Sequence, residues 1–169
     1  MGCTMLGTLK TLISRLADVA SSSGPCESRK CRLATAALLM RVATVDGEMS
    51  EARRRKLHAV LQLRFALDDA ATARLIEEAA AADRGAVDLY HFTRQLNGAL
   101  DDEGRRQIVR MMWEVILADG RPTDAESNIV WRAADLLAVP ARQRIELRQR
   151  IAAGPVAPAA ACRRAAESG

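Results

Sequence analysis

Two short stretches of the chain place carboxylates where they could act together. One is "RVATVDGEMSEARRRKL", from Arg41 to Leu57, and the other is "EVILADGRPTDAESNIV", from Glu114 to Val130. In each, an apolar run ends on Asp-Gly, two residues pass, and a Ser or Thr opens a new segment. The first joint offers Asp46, Glu48 and Glu51, and the second offers Asp119, Asp124 and Glu126. Asp46 to Glu51 and Asp119 to Asp124 share a spacing of five. Hard cations such as Ca²⁺ or Mg²⁺ bind several such oxygens. Asp46, Glu51, Asp119, Asp124 and Glu126 are therefore the candidate ligands of a divalent cation, pooled if both joints lie on one surface. The spacing is not that of an EF-hand, whose loop sets three alternating acidic or amide ligands before its Gly.

The same residues have a purely structural reading. Gly supplies a left-handed turn, Asp bonds nearby backbone amides, and Ser50 or Thr123 caps the helix that follows. Glu126 stands three residues after Thr123, the spacing of a capping box worth about 1 kcal/mol. Nothing else in the chain suggests catalysis. There is no Ser/His/Asp order, no Gly-rich phosphate loop and no His-x-x-x-His pair. His58 reads as a partly buried packing residue and His91 as an exposed one. Trp113 and Trp131 read as core anchors. The expectation is a non-catalytic protein.

Helical periodicity supplies the elements that must position these residues. Leu6, Leu9, Leu12, Ile13, Leu16 and Val19 give an amphipathic first helix, followed by the linker "SSSGP". Leu33 to Val45, with Arg41 its sole charge, reads as a central buried helix stopped at Asp46-Gly47. Ser50 caps the next helix, with Leu57, Val60, Leu61 and Phe65 on its inner face. A further helix starts at Asp68 or Asp69 and ends near Gly85. Asp88 caps the next one, with Val87 and Phe92 spaced as a hydrophobic staple. Asp101, Asp102 and Glu103 open a helix whose second half, Ile108 to Ala118, is nearly all apolar apart from Arg110 and Glu114 and again ends on Asp-Gly. Thr123 caps its successor, and Pro140 starts a last helix holding Ile145 and Ile151.

Composition agrees. Aromatics are 3% of the 169 residues, while Ala, Leu and Arg, which lose little on entering a helix, are abundant. A chain of this length buries roughly 70% of its unfolded surface and needs no metal or disulfide to hold a core. The net charge of +4 mildly favours acidic partners. Arg is dispersed, however, and Arg53-Arg54-Arg55-Lys56, lacking aromatic neighbours, reads as a solvated helix face and not a nucleic-acid site. Cys26 and Cys31 make a poor zinc half-site, so the four cysteines read as free thiols. No run reaches the roughly 18 apolar residues of a membrane span, and Lys10 and Arg15 interrupt any signal-peptide core. A cytoplasmic location follows.

The fold class is thus all-α: a single helical bundle of about eight helices, internally duplicated with pseudo-twofold symmetry at a period of seventy-three residues, Asp46 to Asp119. Residues 1–24 form the amphipathic helix and linker, 25–153 the domain, and 154–169 a flexible tail.

"AALLMRVATVDGEMSEARRRKL", "VDLYHFTRQLN" and "IVRMMWEVILADGRPTDAESNIVWRAADLLAV" resemble the tellurite-resistance TerB-like family, across about Leu33 to Arg150. The resemblance implies an all-helical, internally duplicated domain linked to tellurite and chemical-stress resistance. It also implies divalent-metal binding through acidic residues, and protein partners in membrane-associated assemblies. The family acid seven positions after the motif Asp matches at Glu126 but falls on Arg53 in the first half. An arginine there is a permanent cation, expected either to repel a metal or to pair with Glu51 and Glu48. Two readings follow: a cation-binding TerB-like module relying mainly on Asp119, Asp124 and Glu126, or a structural protein–protein adaptor whose joints are turns.

Overall fold

The computed structural model describes residues 28–85 and 88–154. They form seven α-helices and, among the described residues, no strand. These are α1 (Arg29–Ala43), α2 (Glu51–Phe65), α3 (Asp69–Gly85), α4 (Leu89–Ala99), α5 (Asp102–Ile116), α6 (Asp124–Leu136) and α7 (Ala141–Ala152). The amphipathic helix expected near the N-terminus, the staple residue Val87 and the tail beyond Gly154 lie outside the described residues.

Local chemistry explains where most helices begin. Ser28 accepts from the Cys31 amide, Asp68 from Ala71, Asp88 from Tyr90 and His91, and Asp101 from Gly104. Each cap satisfies amides that the first turn leaves without an intrahelical partner. α7 lacks such a side chain; it starts after Pro140, whose fixed φ suits a helix start.

α1 is the central element. Ala34, Ala36, Ala37 and Ala43 are buried beside Leu38, Leu39 and Val42. The alanines let neighbouring helices approach, and α1 packs on α3, α4 and α5. α5 is the second central helix, contacting α1, α2, α6 and α7. Its Trp113 is fully buried, meets Trp131 of α6 edge-on at 6.0 Å, and carries the Arg148 guanidinium of α7 over its ring at 5.4 Å. Such contacts between ring quadrupoles and cations add to burial. Arg41 ties α1 to α3 through Asp83 at 2.5 Å.

Several expectations need correction. The buried helices stop earlier than the apolar runs suggest, at Ala43 and Ile116, with Thr44 and Leu117 as caps. Gly47 and Gly120 do not directly end the helices. Each closes a turn, through Gly47 N–H to Thr44 O at 3.0 Å and Gly120 N–H to Leu117 O at 3.3 Å. Ile145 is 48% exposed, because α7 caps the bundle and turns only part of one face to it. Arg53 is buried, not solvated. Cys31 is disulfide-bonded, against the expectation of four free thiols; pairing depends on proximity in space, which cysteine spacing does not reveal.

Candidate functional site

The two Asp-Gly joints meet. Gly47 (φ 120°) and Gly120 (φ 126°) both have the positive φ that glycine adopts without strain. Each turn delivers its Asp beside the first turn of the helix that belongs to the other joint. The Ser50 hydroxyl donates to Asp119 Oδ2 at 2.7 Å, and the Thr123 hydroxyl donates to Asp46 Oδ2. Each hydroxyl also accepts an amide of its own helix: Arg53 N–H at 3.3 Å for Ser50, Glu126 N–H at 3.2 Å for Thr123. One oxygen thus caps a helix and joins two distant segments at once.

The third residue after each cap completes the arrangement, and here the joints differ. At α6 it is Glu126, which is 1% exposed and accepts the Thr123 N–H through Oε2 at 2.9 Å, closing a capping box. At α2 it is Arg53, a donor with no accepting atom, which cannot fold back in the same way. Its guanidinium reaches across instead. Nη1 pairs with Glu126 Oε1, and Nε lies 2.9 Å from Asp119 Oδ2, close enough for an ion pair though poorly aligned for a hydrogen bond.

Burial works against the charge on Arg53, but the Glu126 and Asp119 carboxylates outweigh it and raise the guanidinium pKa above its ordinary value. It is charged at every pH at which a protein folds. Partial burial likewise opposes ionisation of Asp119. The Ser50 hydroxyl and the Arg53 guanidinium more than offset this and hold Asp119 below the usual carboxylate range.

Of the five candidate ligands, Asp46, Asp119 and Glu126 come together in this network. Glu51 and Asp124 do not join it. Glu51 is exposed and pairs with Arg54 at 3.6 Å, and Asp124 is exposed in the first turn of α6. The residues present do not fit a divalent ion. A cation would need several free oxygens, yet Asp119 and Glu126 share one guanidinium, and the second oxygen of Glu126 serves a backbone amide. Among the described residues, no group of three or more His, Cys, Asp or Glu could hold a metal ion.

The expectation that Arg53 pairs with Glu51 and Glu48 is also corrected. Those acids are close in sequence, but Glu48 is exposed on the turn and Glu51 lies at the helix surface. The sequence signal is a shared spacing: Arg53 stands seven residues after Asp46, as Glu126 stands seven after Asp119. If the joints face each other, so do these two residues.

Fold and site together define an all-helical module whose two turn-and-cap joints are cross-linked by hydrogen bonds and a buried ion pair. The family model described as tellurite resistance protein TerB matches residues 32–149, and the chain belongs to that family. Comparison with curated proteins and with solved structures gave no significant match. Among the described residues, no helix is long and apolar enough to cross a membrane.

Proposed function

We propose that this chain is a non-catalytic TerB-family module that works as an adaptor between protein partners in a tellurite or chemical-stress response, and that its paired joints are a structural latch. The observation that carries the latch is the Arg53 guanidinium held between Asp119 and Glu126, where a shared cation would otherwise have to sit. A protein that supplies its own permanent cation there gains a metal-independent joint. The reciprocal bonds, Ser50 to Asp119 and Thr123 to Asp46, support the reading that the chain is internally duplicated. A pseudo-twofold relation would create such a pair as one contact repeated. Adaptor work in the cytoplasm, within assemblies linked to a membrane, is the role proposed for the module.

The rival is a divalent-cation module using Asp46, Glu51, Asp119, Asp124 and Glu126. Titrating Ca²⁺ or Mg²⁺ to millimolar concentration against wild type and Asp119→Asn, with melting temperature and NMR shifts as readouts, separates the two. The latch expects no cation-dependent stabilisation of wild type. Stabilisation that Asp119→Asn abolishes would hand the site to the rival.

A further inference from the structure

α2, α5 and α7 leave an open trough on the side of the bundle. Two adjoining pockets of about 500 and 430 Å³ make it up, and they share Lys56, Glu114 and Ile151. The apolar part of the lining is Ala52 and Ala59 of α2, Leu117 and Ala118 after α5, and Leu147 and Ile151 of α7. The alanines keep this surface shallow, so a partner's side chains can reach it.

The charges around it are one-sided. Arg55, Lys56, Arg110 and Arg150 line the trough, and among the described residues Glu114 is its single carboxylate. Glu114 is already engaged twice, by Lys56 at 3.2 Å and by Arg110 at 2.8 Å. Arg55 and Arg150 have no ion-pair partner among the described residues. An apolar strip bordered by surplus cations is complementary to an apolar strip bordered by acids. A slot between helices suits an amphipathic helix, whose anchors recur at i, i+3, i+4 and i+7.

Residues 1–27 and 155–169 do not carry that complement. The first stretch sets Lys10 and Arg15 against Asp18 and Glu27, and the second sets Arg163 and Arg164 against Glu167. Neither has an excess of acid. A second copy is also a poor fit, since a net charge of +4 repels its like.

We propose that the trough formed by α2, α5 and α7 receives an acidic amphipathic helix of a partner protein, with its apolar face on Ala59, Leu117 and Ile151 and its carboxylates against Arg55, Lys56, Arg110 and Arg150. This rests on the adaptor reading and names the chemistry of the partner. Steering by the four cations sets the rate and specificity of encounter, and the apolar strip holds the helix once docked.

The test uses the full chain and a fluorescently labelled synthetic helix of Leu and Glu with leucines at i, i+3, i+4 and i+7. Comparison peptides keep the Glu residues but replace Leu with Ser, or keep Leu and replace Glu with Lys. The Leu/Glu helix is expected to bind, with amide shifts on α2, α5 and α7, and both comparison peptides to bind much more weakly. Ala59→Glu and Arg150→Glu should each weaken binding about tenfold. Ala59 is exposed, so Glu there leaves folding intact, which circular dichroism verifies. Arg94→Glu on exposed α4 surface, the same change of charge, should alter binding by less than about twofold. The proposal is overturned if the Leu/Glu helix does not bind, if the Ser peptide binds equally well, or if Arg94→Glu weakens binding as much as Arg150→Glu. It is equally overturned if oligo-dT displaces the helix and itself shifts the same residues at lower concentration. None of these results depends on the metal titration, so the trough can fail while the latch stands.

Discussion

Ser50 and Asp119 are 69 residues apart in the chain, and the hydroxyl of one donates to the carboxylate of the other at 2.7 Å. Thr123 and Asp46 repeat the relationship in the opposite sense. A helix cap is ordinarily a local device, confined to a few residues. Here the cap hydroxyls have a second partner, so the start of α2 is fixed by the end of α5, and the start of α6 by the end of α1.

Double-mutant cycles should detect this coupling. Ser50→Ala with Asp119→Ala, and Thr123→Ala with Asp46→Ala, are each expected to show an interaction energy of about 0.5–1 kcal/mol in urea unfolding. Thr123→Ala alone should cost more than Ser50→Ala, about 1–2 kcal/mol, because it also dismantles the capping box with Glu126. Additive behaviour in both pairs would mean that the cross-joint bonds contribute nothing.

Arg53 should be the most sensitive residue of the latch. Arg53→Met leaves Glu126, at 1% exposure, without a cationic partner, and is expected to cost about 3–5 kcal/mol. Adding Glu126→Leu should recover part of that loss, because the stranded charge is gone. Arg53→Lys should not substitute fully, since one ammonium lacks the planar fork that reaches two carboxylates. Chemical denaturation of the four proteins checks this, and a cost below about 1 kcal/mol for Arg53→Met would show the pair to be incidental.

The two turn glycines give a prediction about backbone alone. A Cβ built on Gly47 or Gly120 meets nothing within 4 Å, so no steric clash with neighbours arises. The cost of Ala at either position is the strain of positive φ, about 1 kcal/mol. Val should be worse, being branched at Cβ. Equal melting temperatures for Gly47→Ala and wild type would contradict the turn geometry.

Asp119 should make the protein sensitive to acid. Its folded pKa is lowered, so the unfolded chain binds the proton more readily and stability rises with pH through that range. The contribution is fully present above the ordinary Asp pKa of about 4 and disappears as pH falls through the lower, folded value. Stability measured from pH 6 downward should therefore fall less steeply in Asp119→Asn than in wild type, on the order of one proton's slope at most. Identical slopes would remove Asp119 from the latch.

The helices were legible because their determinants are local. Ser50, Asp88, Asp101 and Thr123 each cap an amide two or three residues ahead, a distance that sequence displays directly. Leu33 to Val45 and Ile108 to Ala118 announce burial because so few charges, Arg41 in the first and Arg110 and Glu114 in the second, interrupt their apolar surface. Positive φ at Gly47 and Gly120 followed from the turn that each joint needs. The exact helix ends did not, since Thr44 and Val45 are apolar enough or neutral enough to extend the run while the backbone has already turned.

What the tertiary structure decided is the partner of each charge. Arg53 had Glu48 and Glu51 nearby in sequence, yet it pairs with Asp119 and Glu126, which only the packing of α2 against α5 brings within reach. A charged side chain carries no address; the acid it meets depends on which helix faces are buried together. The same limit applies to Ile145 and to the trough. Periodicity assigns a residue to one side of a helix, but whether another helix covers that side depends on contacts made across the whole chain. The helices follow from interactions three or four residues long, whereas the latch required two segments seventy-three residues apart to meet.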